Sequence, residues 1–164
     1  MDVGVIVFLG VLIAQRLSEL VIAHRNTARL LQRGAYEVGA EHYPYMVALH
    51  SLWIAGLAIF GAEAQLHWGW LAIYAVLQGF RIWILTSLGE RWTTRIIVLD
   101  EPLVVKGPFR FVRHPNYVLV VLEIAVVPLV LGLVWVAVLF SVLNAAMLFV
   151  RIRAEDRALE HLSA

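Results

Sequence analysis

Long apolar runs alternate with short polar stretches along this chain, and the runs predict its architecture. The first spans Val3 to Ile22, close to the ~20 residues that cross a bilayer as a helix. Its last third carries Gln15, Arg16 and Glu19. Arg16 and Glu19 lie three apart and share a helix face, so they are placed to pair, either inside the bundle or near the interface. The polar stretch from His24 to His42 holds no run long enough to cross, and Gly34 and Gly39 interrupt it. The second run, Tyr43 to Phe60, has Pro44 near its start, where a proline suits the first helical turn. The third, Trp68 to Leu88, opens with an interfacial pair, Trp68 and Trp70, and contains Gln78 and Arg81. Arg81 either snorkels or reaches into an internal cavity. The fourth and fifth runs, Tyr117–Leu131 and Leu133–Val150, are separated by Gly132 and predict a helical hairpin. A fourth helix of that length reaches only ~22 Å at ~1.5 Å per residue. It must run past Gly132, stand upright, or stop within the bilayer.

The connecting segments predict less regular structure. Between Gly89 and His114, two β-prone runs, Ile96–Leu99 and Leu103–Val105, flank Asp100-Glu101-Pro102 and are expected to pair with each other. The chain closes with a polar stretch, Arg151 to Ala164, expected to leave the membrane as a short helix.

Composition agrees with an all-α membrane protein of about five helices, organised as a single domain over residues 1–164. Hydrophobic residues make up 62% of the chain, charged residues 15%, and mean hydropathy is +0.82, which excludes an ordinary soluble domain. With no cysteine there is no disulfide, thiolate metal site or cysteine nucleophile. The six histidines lack short paired spacing, so no metal site is expected, and His42 and His50 are read as interfacial or satisfied buried groups. The N-terminus enters its apolar run at Val3 without the basic start or small-residue cleavage site of a signal peptide, so that run is read as a membrane helix.

A net charge of +1 gives no reason to expect a nucleic-acid partner, but the distribution of charge orients the chain. Of the thirteen Lys and Arg residues, three fall in 24–42, five in 89–114 and three in 151–157; none lies in 61–67 or 131–133. The positive-inside rule then places the N-terminus outside and the C-terminus in the cytoplasm.

The densest polar cluster is Gly107-Pro108-Phe109-Arg110-Phe111-Val112-Arg113-His114-Pro115-Asn116-Tyr117, at the mouth of the fourth helix. Pro115 suits the first helical position, and a helix N-terminus beside Arg110, Arg113 and His114 would hold a carboxylate. The other reading makes these arginines interfacial anchors. Arg151 and Glu155, four apart, share a face as a surface ion pair or as parts of a site. Glu123 and Asn144 fall at similar depth, placed for a mutual hydrogen bond or for a ligand.

This motif, a hairpin, and then Arg151-Ile-Arg-Ala-Glu155-Asp156-Arg-Ala-Leu159 resemble the isoprenylcysteine carboxyl methyltransferase family over about residues 90–160. The family pattern is GPYR-x-x-RHPxY, a helical hairpin, and R-x-x-x-EE-x-x-L. Trp92-Thr93 is similar too, and Asp156 stands where the family has a second Glu. The N-terminal part, with His42-Tyr43-Pro44, resembles short bacterial members, some of which methylate hydroxyls of long-chain alkylresorcinols or alkylpyrones.

The resemblance implies a membrane methyltransferase using S-adenosylmethionine at the cytoplasmic ends of the last helices, with a lipid substrate entering laterally. Carried over by motif position, the backbone of Val104, Val105, Lys106 and Gly107, together with Arg113, His114, Tyr117 and Glu155, would hold the cofactor. Arg151, Glu155 and His114 would be the catalytic set. Arg151 would stand at the methyl-transfer centre or at the substrate's polar head. A carboxylate acceptor needs only an orienting arginine, whereas a phenol, with a pKa near 10, benefits from a base, for which His114 is best placed. A phospholipid N-methyltransferase and a non-enzymatic membrane protein, such as a transporter subunit using Arg81 and Glu123 as a path, stay open as alternatives.

Overall fold

The computed structural model describes residues 2–160. Helix α1, Val3–Gln32, starts at Asp2, whose Oδ1 accepts from the Gly4 N–H at 2.7 Å. It runs ten residues past Ile22, the end that hydropathy alone predicts. His24 to Gln32 contains no Gly or Pro, and Arg, Ala and Leu are good helix formers, so nothing stops the helix before Gly34. There Gly34, at φ 91°, lets the Ala35 N–H return to the Leu30 carbonyl and the Gly34 N–H to that of Leu31, closing the helix end.

Helices α2 (Tyr43–Phe60) and α3 (Trp68–Leu88) have the predicted bounds. Strand β1, Tyr36–Val38, pairs antiparallel with β2, Ile96–Val98, in the register Tyr36↔Val98, Glu37↔Ile97, Val38↔Ile96. The predicted pairing of 96–99 with 103–105 does not form. Pro102 lacks a donor, and Glu101 is drawn towards Arg33 and Arg91 on other elements, so the chain leaves β2 without folding back on it. Glu37 and Arg95, at 2.7 Å, fasten the ribbon, and buried Ile96 and Val98 press it against the bundle.

Helix α4, Pro115–Val130, spans only 16 residues and ends before Gly132, which takes φ 69° in the turn to α5, Val134–Leu159. Of the three outcomes open to a short fourth helix, running past Gly132 does not occur. Helix α5 carries on past Val150 without a break, so the expected separate tail helix is its last turns; residues 161–164 lie outside the described region. The His67 N–H donates to the Val130 carbonyl at 2.9 Å, so the α2–α3 turn and the α4–α5 turn meet at one end of the bundle. The ribbon and the long connector lie at the other.

Four of the five helices are long and apolar enough to cross a membrane, and α4 is the short one. Their outward positions stay apolar: Val7, Val11, Leu52, Ile59, Val76, Val138 and Val142 are all exposed. A band of this kind is stable only against lipid, so this is an integral membrane protein. Helix α4 buries more of its surface, including Leu119, Ile124, Val126, Val127 and Val130, and exposes Val118, Val121 and Leu122.

The bundle is pinned by charge. Glu123, fully buried on α4, receives Arg16 from α1 at 2.7 Å, Gln78 from α3 at 3.0 Å, and the Arg81 guanidinium from α3 through both Nε and Nη2. Glu19 receives Arg16 at 3.2 Å and Arg81 at 2.9 Å. Arg81 therefore does not snorkel, and the expected Glu123–Asn144 bond does not form, because two guanidiniums attract the carboxylate more strongly than an amide. Replacing Glu123 with Ala would leave Arg16 and Arg81 sharing one carboxylate inside the bundle. We expect Glu123→Ala to cost about 3–5 kcal/mol, measured by equilibrium unfolding in detergent.

Candidate functional site

The site forms where the connector, the start of α4 and the end of α5 meet. Gly107, at φ 60°, lets the chain pass against Ser87 and Trp83, where a Cβ would lie 2.1 Å from the Ser87 hydroxyl. A 3-10 turn over Gly107–Arg110 then delivers His114 to the N-cap of α4. The Tyr117 and Val118 N–H groups both donate to the His114 carbonyl, which uses up part of the helix's free N-terminal donors.

Sequence reasoning expected an open anion site here. The structure fills it with the protein's own carboxylates. His114 Nε2 lies 3.0 Å from Asp156 Oδ1, its Nδ1 lies 4.0 Å from Glu155 Oε1, and Arg113 reaches Asp156 at 3.3 Å. Tyr117 donates its hydroxyl to Glu155 Oε2 at 2.5 Å. Basic loop and acidic helix face thus neutralise each other.

Arg151 adjoins that cluster on the Tyr117 side. It is buried, its Nη2 donates to the Thr94 carbonyl at 2.9 Å, and its Nε is buried without a partner. The surface ion pair with Glu155 does not form: no carboxylate lies within 4.0 Å of Arg151 among the described residues. Tyr43 meets the Thr94 hydroxyl at 3.1 Å, and Arg95 stacks on the Tyr43 ring at 4.0 Å, so the β ribbon, α2 and α5 converge on Thr94.

These groups line a cavity of about 390 Å³ that descends from the connector into the bundle. His114, Tyr117, Arg151 and Glu155 face its upper part, with Arg113 and Val104 at the rim. Arg16, Glu19 and Arg81 contribute to its walls, so the buried charge cluster adjoins the site, and Asn144 lines it as well. Val105, Lys106 and Gly107 are not part of the lining; Val105 and Lys106 point into solvent, as does Arg110.

Sequence reasoning set His50 aside, yet it faces the cavity from α2, and its Nδ1 lies 2.9 Å from the Met46 carbonyl. The available signal was a single imidazole inside an otherwise apolar helix. His42 is buried and neither ring nitrogen has a partner among the described residues, so it is not a satisfied buried group.

Residues 70–161 match the Isoprenylcysteine carboxyl methyltransferase (ICMT) family. A Bacillus subtilis (strain 168) protein that bears the name Uncharacterized protein YpbQ is 41% identical over 161 residues, which covers 94% of this chain and 96% of that protein. A Haemophilus influenzae protein, also named as uncharacterized, is 26% identical and covers 92% of each chain. No solved structure matches this chain.

The cavity's outer wall depends on Glu101. Arg33 at 2.6 Å and Arg91 at 2.5 Å bind its carboxylate, and Arg91 also donates to the Pro102 carbonyl at 2.6 Å. These bonds hold the Glu101 carboxyl below its ordinary pKa. A depressed folded pKa means that this latch acts fully above the unfolded value of about 4.3 and is lost as pH falls through the lower folded value. Glu101→Gln should speed tryptic cleavage after Lys106 several-fold at neutral pH. In the wild type, protection of the Glu101 amide, which donates to the Leu99 carbonyl at 2.8 Å, should, once corrected for intrinsic exchange, fall only below the usual carboxylate range.

Proposed function

Because this chain belongs to the isoprenylcysteine carboxyl methyltransferase family, we propose that it is an S-adenosylmethionine-dependent O-methyltransferase. Its acceptor would be lipophilic, either a prenylcysteine carboxylate or a long-chain phenolic or pyrone hydroxyl. The observation that carries this reading is the pairing, across one cavity, of a fixed carboxylate, Glu155, with a buried and partly unpartnered guanidinium, Arg151.

The residues fit the cofactor. S-adenosylmethionine supplies, when bound, a methyl carbon on a positive sulfur, together with an ammonium and a carboxylate. Glu155 meets the positive groups, and Tyr117 fixes its orientation through their hydrogen bond. His114 and the Val104 backbone border the same space. Arg113 acts one step back, holding Asp156 against His114. The backbone of Val105, Lys106 and Gly107 shapes the loop that brings Val104 to the rim.

Arg151 serves the acceptor. A guanidinium presents parallel donors to a carboxylate or phenolate, and Thr94 holds it in place through its carbonyl. Methyl transfer needs alignment above all, and a buried arginine on a rigid helix provides it. The lower cavity walls at Leu20, Val47 and Ile54 give an apolar tail a path along α1 and α2. A cationic wall suits an anionic or hydroxyl acceptor better than the amine of a phospholipid N-methyltransferase. A transport path through Arg81 and Glu123 is disfavoured, since those groups are locked together and buried.

Incubating purified protein and labelled S-adenosylmethionine with prenylcysteine, alkylresorcinol, alkylpyrone and phosphatidylethanolamine tests the reading. Label should reach one of the O-acceptors. Glu155→Ala should weaken cofactor binding by about 1–3 kcal/mol in calorimetry, the worth of a charged hydrogen bond.

The cavity would open to the cytoplasm, as the eleven basic residues outside the membrane runs argue. With no native cysteine to interfere, single cysteines at Thr27 and Thr94 should label only from the cytoplasmic side, and one at Gln65 only from outside. Outside labelling at Thr94 would reverse the orientation.

A further inference from the structure

We propose that His50 is the proton acceptor of this site, and that the acceptor substrate is a long-chain lipid bearing an acidic hydroxyl, phenolic or enolic, held between His50 Nε2 and Arg151. The inference rests on the methyltransferase reading above and narrows its substrate.

The tautomer of His50 follows from geometry. A carbonyl only accepts, so the 2.9 Å contact with Met46 means that Nδ1 carries the proton. The other nitrogen, Nε2, then holds a free lone pair. It has no protein hydrogen-bond partner among the described residues and is not sealed from the cavity. His114 cannot play this part, because its ring nitrogens already face Asp156 and Glu155.

The helix register brings His50 to Arg151. Helices α2 and α5 run antiparallel: Phe60 meets Trp135 edge to face at 4.8 Å, and Gly56 faces the Phe140 ring. Continuing that register residue for residue puts His50 level with Ala145, next to Asn144, about three turns from Phe60. Arg151 lies about 9 Å along the axis towards the connector. Side chains lean towards the N-terminus of their own helix, so in an antiparallel pair His50 leans towards the connector and Arg151 towards the interior. Both residues line the same cavity.

The surrounding charges select the chemistry. On α1 and α3, Arg16 and Arg81 are matched by Glu19 and by Glu123 of α4. Glu155 and Tyr117 bind each other, and on the connector Arg91 and Arg95 pair with Glu101 and Glu37. Among the described residues, Arg151 is the inner cation of the cavity with no carboxylate within 4.0 Å, so an anion formed beside it is stabilised. A carboxylate acceptor would satisfy Arg151 and leave His50 with nothing to do. A hydroxyl uses both groups. Its proton passes to Nε2, the freed oxygen pair forms the new O–CH₃ bond as the sulfonium C–S bond breaks, and the proton ends on His50 before release to water.

A 7-hydroxycoumarin carrying a long alkyl chain reports this step by absorbance without any turnover. It is titrated in micelles with and without purified protein, in the absence of S-adenosylmethionine. On wild type the bound hydroxyl should ionise at least one pH unit below its value in empty micelles, a tenfold change. His50→Gln keeps every neighbouring charge and should return most of that shift, with unchanged melting temperature and cofactor affinity as evidence of folding. Equal titrations in wild type and variant overturn the proposal. So does a wild type that fails to bind the probe, or that ionises it no more readily than empty micelles, results that stand whether or not the variant folds. Failure of the wild type to bind S-adenosylmethionine in calorimetry would instead sink the methyltransferase reading, leaving the His50 titration to stand alone.

Discussion

A carboxylate buried at the centre of a membrane bundle needs cations around it, and Glu123 gathers them from two other helices. Arg16, Arg81 and Glu19 complete a neutral four-charge cluster that ties α1, α3 and α4 together. Lipid offers helices little hydrophobic reason to associate, so such contacts and close packing fix their rotation and depth. The short α4 depends on this most, because its position sets where His114 and Tyr117 emerge. The same cluster lends Arg16, Glu19 and Arg81 to the wall of the cavity, so the fixed frame and the binding space share residues.

The opposite end of the bundle is organised by a second exchange of charge. A basic loop and an acidic stretch of α5 meet and cancel, so that His114, Tyr117 and Glu155 form one bonded unit. Thr94 gathers Tyr43 and Arg151 in a similar way from α2 and α5. The cavity between these two anchor points changes character along its length, with carboxylate chemistry at the rim, a lone guanidinium below it, and an imidazole and an amide deeper still. That gradient suits a reaction in which a charged, water-soluble donor meets a greasy acceptor from inside the membrane.

Much of this was legible in the chain. Hydropathy determined the number of helices and the bounds of α2 and α3, because the cost of exposing backbone and polar groups to lipid is local and steep. The Gly107–Tyr117 motif and the Arg151–Glu155 spacing pointed to segments that border the cavity, since residues four apart on a helix share a face wherever that helix goes. The end of α1 was legible only to propensity: hydropathy falls at Ile22, but the backbone stays helical until Gly34.

The partners of the charged groups were decided by tertiary structure. Sequence spacing paired Arg16 with Glu19 but gave no sign that both would meet Arg81 and Glu123, 42 positions apart from each other. It matched the strand at Ile96 with its neighbour in the chain, whereas the fold matched it with Tyr36–Val38, some 60 residues earlier. It offered the loop arginines to a ligand, and the fold gave Arg113 to Asp156. The physical reason is common to all three. A single sequence records which groups need partners and how a helix or strand orients them locally. Which partner each group receives depends on where separate helices come to lie against one another, and that is settled by packing across the whole bundle.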